Sequence, residues 1–229
     1  MLRHATALGA LLFTATASAQ VSGSVALVSD YRYRGISLSD ERPAAQLAVA
    51  YDGTGGGYAG ALVSSVQPSR SARAQLQTYL GITRPIRPGL NWELGVTYTT
   101  IAGDTGYDYP EAYLGLVTDH YSARLSYARH YFGQPAPTLY MALERTWRLS
   151  DHLRLLAHLG LLRRNGPDEY EARRYRVDAR AGLGWTWRDY HLQLAWTIAR
   201  GSEGPYPFGY REDRPSAHQG WVVSCSRSW

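Results

Sequence analysis

The feature that most constrains this chain is a period-two alternation of apolar and polar residues that recurs in long runs. From 174 to 188, Tyr175, Val177, Ala179, Ala181, Leu183, Trp185 and Trp187 share one parity, while Arg174, Arg176, Asp178, Arg180, Thr186 and Arg188 share the other. Successive side chains of a strand point to opposite faces, whereas a helix repeats about every 3.6 residues, so this segment is extended. The pattern resumes across Arg188-Asp189, with Tyr190, Leu192, Leu194, Trp196 and Ile198 opposed to His191, Gln193 and Thr197. It recurs in Trp92, Leu94, Val96 and Tyr98, in Tyr121, Ala123, Leu125 and Tyr127, and in Leu139, Met141, Leu143 and Trp147. Each run is about ten residues long, the length a tilted strand needs to cross the hydrocarbon layer, whereas soluble strands average roughly five or six.

Runs near 22–34, 43–52, 57–67, 74–84, 90–101, 109–118, 121–132, 138–149, 152–163, 174–187, 190–200 and 219–229 predict an all-β fold. Its expected form is an antiparallel up-and-down transmembrane β-barrel of about 12 strands. The gaps alternate in length. Those at 53–56, 85–89, Asp119-His120, Ser150-Asp151 and Arg188-Asp189 are brief, and the others are mostly longer and polar, the longest being 201–218. Short periplasmic turns alternating with longer outer loops are what a barrel requires when both termini face the periplasm.

Export follows from the first residues. Arg3 and His4 precede an apolar, small-residue run from Ala5 to Ala17, and Ala17-Ser18-Ala19 fits a small-x-small cleavage site. Residues 1–19 are therefore expected to be a cleaved signal peptide and 20–229 one outer-membrane barrel domain, in the outer membrane of a Gram-negative bacterium. The only cysteine, Cys225, excludes an internal disulfide and a lipoprotein start. Past the signal no apolar stretch of roughly 18 residues exists, which excludes a membrane helix. The mildly polar mean hydropathy does not argue for solubility, because lipid-facing and lumen-facing residues of a barrel cancel in the average. The net charge of +5 falls to +4 without Arg3. Such a surplus suits lipopolysaccharide phosphates or anionic solutes, or is a solvated face; nucleic acid is not expected outside the cytoplasm.

The aromatic residues are 18 Tyr and 7 Trp against 3 Phe, favouring rings with one wet edge, as at membrane interfaces. The chain stops on Trp229, whose parity is shared by Trp221, Val223 and Cys225 and broken by Arg227. A terminal aromatic on an alternating last strand is similar to the signal read by the outer-membrane assembly machinery.

The first mature strand opens GSVALVSDYRYRGISLSD over 23–40, and Ser29, Asp30, Tyr31, Arg34, Gly35, Ile36 and Ser37 fit an S-D-Y-x-x-R-G-I-S segment. In this the chain resembles the TorF family of porin-like proteins, an uncharacterised Gram-negative outer-membrane group. The resemblance implies an outer-membrane barrel and a pore, but no substrate. The arginine content and the long Pro-rich final loop depart from it, so no solute preference carries over.

If Val25, Leu27, Tyr31 and Tyr33 face lipid, parity sends Asp30, Arg32 and Arg34 to the lumen. Charges facing lipid would cost roughly 2–4 kcal/mol each at the midplane. With Arg124, Arg154, Arg174, Arg176, Asp178 and Arg180 they are the expected pore-lining residues, forming a mildly anion-attracting passage or pairing into a plug. His130, His158 and His191 share the lumen parity, with Ser122 and Ser126 near one of them, so a barrel enzyme acting on lipid stands as an alternative, although no nucleophile elbow occurs. Asp104, Asp108 and Glu111 are close together without the spacing of a calcium loop. No catalytic residue, metal or cofactor is expected. The leading expectation is a passive channel for small, anionic solutes; the alternatives are the lipid enzyme and a plugged structural or adhesive barrel.

Overall fold

The computed structural model describes residues 20–69, 71–165, 174–201 and 218–229; the expected signal peptide lies outside them. The alternating runs pair in chain order as β1 (Gln20–Val28), β4 (Ala44–Asp52), β5 (Gly57–Ser65), β6 (Ala74–Arg87), β7 (Leu90–Ala102) and β8 (Tyr109–Thr118). They continue as β9 (Tyr121–Ala128), β10 (Thr138–Arg148), β11 (Leu153–Arg164), β12 (Tyr175–Trp187), β13 (Tyr190–Gly201) and β14 (Gln219–Ser228). Each pairs antiparallel with its neighbours, and β1 returns to β14 with Leu27 opposite Cys225 to close the barrel. Closure leaves no strand edge unpaired, the condition for a sheet in hydrocarbon.

The pleat assigns the two faces. Along β13, Leu192, Leu194 and Trp196 are 43%, 46% and 36% exposed, while His191, Ala195 and Thr197 between them are 4%, 1% and 6% exposed. Apolar side chains form the outer surface of every barrel strand, a belt no water-soluble protein could leave uncovered. The seam is completed at its end by Trp229, whose backbone exchanges hydrogen bonds of 3.1 and 3.2 Å with Gly23 and whose indole lies where a Gly23 side chain would stand.

The chain departs from the expected first strand at Val28. Instead of running to residue 34 in the wall, 29–43 turns into the barrel and carries a small hairpin, β2 (Arg32–Tyr33) and β3 (Ile36–Ser37). Its two turn residues, Arg34 and Gly35, have φ of 50° and 81°, the pair of positive values that a two-residue hairpin turn demands. Tyr31 and Tyr33 therefore do not face lipid. Tyr31 is buried, with Tyr33 packed against the same interior cluster: Leu38, Ala44, Val66, Ala72, Ile101, Tyr109, Ala128, Tyr131, Phe132, Tyr140 and Leu162. Most of these stand at the loop ends of their strands, so the apolar core is a disc across one end of the barrel. The expected strand 121–132 likewise stops at Ala128, and a 3-10 turn over Tyr131–Gly133 brings both aromatics into that disc. Tyr109, Tyr131 and Phe132 meet there with ring centroids 4.9–5.1 Å apart.

Candidate functional site in the barrel lumen

Below the disc a cavity of about 970 Å³ occupies the barrel. Gln20, Gly55, Arg84 and Trp229 line it near the short turns, and Arg34, Gly35 and Glu111 line it beneath the hairpin. Asp30 organises the hairpin base, accepting hydrogen bonds from Ser37 Oγ at 2.6 Å and Arg32 Nε at 2.6 Å. The tip crosses the bore. Arg34 Nη2 donates to Glu111 Oε1 and Oε2 on β8 at 2.6 and 2.7 Å, and its guanidinium lies 5.0, 4.9 and 4.2 Å from the ring centres of Tyr33, Tyr131 and Tyr140. On the opposite side Gly35 abuts β12 and β13, so closely that a Cβ there would stand 2.6 Å from Asp178 Cβ and 2.7 Å from Ala199 Cβ.

A substitution at Gly35 therefore meets both a positive φ and a wall. Gly35→Val is expected to undock the hairpin while leaving the barrel closed, since strain at such a φ costs about 1–3 kcal/mol before the collision is counted. Protease sensitivity within 29–43, with unchanged gel migration of the folded barrel, would show it; resistance equal to wild type would contradict the docked tip.

Six of the nine expected pore-lining residues, Asp30, Arg32, Arg34, Arg124, Asp178 and Arg180, lie on the cavity wall. The first three arrive on the in-folded segment and not, as parity suggested, on a wall strand. The remaining three do not border the cavity. Arg176 is 1% exposed at the loop end of β12, Arg174 precedes that strand on an exposed position, and Arg154 lies near the turn end of β11. The arginines that do line it are not free. Arg32 pairs with Asp30, Arg34 with Glu111, Arg124 with Glu93 at 2.7 Å and Arg180 with Glu144 at 3.5 Å. Arg84 donates to the Gly55 carbonyl. Five arginines on the wall thus face six carboxylates, Asp30, Asp52, Glu93, Glu111, Glu144 and Asp178. Glu93 and Glu144 were not singled out in the sequence and Glu111 was weighed only for calcium, although each falls on the inward parity of its strand.

Of the histidines, His158 is held by its Nδ1 to Glu144 at 2.7 Å and by its Nε2 to Asp178 at 2.8 Å, with the Tyr140 hydroxyl 3.1 Å away. Both ring nitrogens are engaged, which leaves none to deprotonate Ser122 or Ser126. His130 stands exposed outside the strands. His191 Nδ1 lies 3.1 Å from Thr186 Oγ1. The three acidic residues weighed for calcium diverge: Asp104 accepts from Ser69 and Ser71, Asp108 from the Ile101 amide, and Glu111 from Arg34. Among the described residues no group of three metal-ligating side chains converges.

A closed 12-stranded antiparallel barrel with an apolar belt and a charged lumen defines a protein of outer-membrane type. The chain belongs to the Gcw_chp family, described as "Bacterial protein of unknown function", whose model matches residues 13–229. No curated protein matches it. Among solved structures it is similar to the KdgM porin, with TM-score 0.56 and 14% identity over 91% of this chain and 99% of that one. It is also similar to the NanC porin, with TM-score 0.61 and 9% identity over 91% and 99%. A second KdgM structure, in complex with disordered oligogalacturonate, matches with TM-score 0.52 and 11% identity over 93% and 99%. At such identities these likenesses establish the barrel fold.

Proposed function

We propose that this protein is a passive channel for small solutes, without catalytic activity or cofactor, whose outer end is narrowed by the in-folded 29–43 segment. The observation that carries the reading is the continuous cavity, with charged side chains on its wall, running from the short-turn end to the hairpin, bounded above by a latch of one ion pair and one glycine contact. A tube filled with side chains alone would leave no such volume. The porin-like neighbours and the resemblance to the TorF family support the same reading. The apolar belt is taken to meet outer-membrane lipid and lipopolysaccharide, and the C-terminal strand ending on Trp229 to engage the assembly machinery after removal of the signal. Charge balance on the wall argues against the expected anion preference, because every lining arginine already has a partner.

Proteoliposomes holding the refolded barrel are expected to swell in an isotonic pentose faster than protein-free liposomes. Replacing 31–38 by a Gly-Ser linker should increase the rate further. Swelling no faster than that of protein-free vesicles, in both forms, would sink the channel reading. A plugged structural barrel is the second reading, favoured by the aromatic disc, and would give that result.

A further inference from the structure

One carboxylate on the wall has no cation. Asp52 ends β4 near the short-turn mouth, half-buried, with neither a hydrogen bond nor an ion pair to its side chain among the described residues, and its Oδ2 is buried without a partner. Directly across lie Tyr58 on β5 and, diagonally, Tyr79 on β6, both half-buried and both facing the cavity. These two rings are fixed by a reciprocal interlock. Tyr58 pairs across the strands with Gly81 and covers it, while Tyr79 pairs with Gly60 and covers it, neither glycine leaving room for a Cβ. The ring centroids are 6.3 Å apart and tilted 53°. Around them Ala48 and Ala50 keep the wall low.

A carboxylate without a partner beside two π faces is complementary to a donor-only cation. An ammonium group offers three N–H donors and no acceptor, gains a charge-assisted hydrogen bond from the carboxylate, and is attracted to the ring faces. An anion would meet repulsion, and the guanidiniums of this sector are already engaged: Arg84 donates to the Gly55 carbonyl, and Arg124 is held by Glu93 and stacked 4.4 Å from the Tyr113 ring centre. We propose that Asp52, Tyr58 and Tyr79 form a binding site for the ammonium group of a small organic cation. The site lies on the conduit proposed above and rests on that reading for its role in transport. The permeating or retained solute class is then cationic, opposite in sign to what the arginine content of the sequence suggests.

The test is isothermal titration of n-butylammonium chloride into the barrel folded in non-ionic detergent micelles, with sodium butyrate as the anion of matching length. Butylammonium is expected to bind at one site and butyrate not to bind. Asp52→Asn is expected to weaken binding about tenfold or more. Tyr79→Ala should weaken it about fivefold, and Tyr79→Phe, which keeps the ring face, should retain it. Absence of butylammonium binding, equal binding of butyrate, or wild-type affinity in the Asp52→Asn barrel would each overturn the site. Bilayer conductance separates the two ideas: a conducting barrel indifferent to butylammonium refutes the site and spares the channel, whereas a silent barrel that binds it through Asp52 does the reverse.

Discussion

Arg34→Leu is expected to release the hairpin and raise single-channel conductance several-fold. The guanidinium is 6% and its partner Glu111 7% exposed, so removing the arginine leaves a carboxylate buried without its cation. Breaking such a pair costs about 3–5 kcal/mol when the orphaned charge stays dry. The barrel has a cheaper response: its strands are held by their own ladders, so the hairpin moves away and lets water reach Glu111. The loss should therefore appear as faster amide exchange in 29–43 and a wider pore, with little change in global unfolding. Arg34→Leu combined with Glu111→Leu removes both charges, and replacement of both members of a buried pair by apolar groups is often neutral or stabilising. The double variant should return the exchange protection and the lower conductance. A single variant as closed as wild type would show that the aromatic disc holds the segment without the latch.

Leu194→Arg is expected to destabilise the barrel by about 2–4 kcal/mol in phospholipid vesicles, the cost of a cation on the lipid face near the midplane. Leu194 lies midway along β13 between Leu183 and Val223, all three on the apolar parity. Gln193→Arg, one residue away, points into the lumen and should cost far less. Equilibrium unfolding in urea would give both values; equal losses would mean that the faces are assigned wrongly.

Much of the wall was legible because a barrel strand carries its own instructions: parity fixes the face, and the run length fixes the span. The strands β4, β7, β8 and β13 fall within about two residues of where alternation placed them. The in-folded segment was not legible by that rule. Ser29, Tyr31 and Tyr33 alternate with Asp30, Arg32 and Arg34 as well as any wall strand does, so periodicity continued the strand past Val28. The contrary signal was Gly35 between Arg34 and Ile36, a residue that takes a positive φ freely and so permits a tight hairpin turn, although Arg34 beside it is not a residue type that favours one. The charge character of the lumen was hidden for a different reason. The arginines stand out in the sequence, but their partners Glu93, Glu111 and Glu144 lie on separate strands, and only closure brings them together. An excess of arginine in the chain thus became a balanced wall in the cavity, with Asp52 left over.

Single-channel conductance of the refolded barrel in planar bilayers, wild type beside the form with 31–38 replaced by a Gly-Ser linker, tests the channel most directly. Stable small steps for the wild type and several-fold larger steps for the linker form are expected. Silence from both, in protein shown to be folded, would contradict a conduit through this barrel, and equal steps from both would contradict its narrowing by the hairpin.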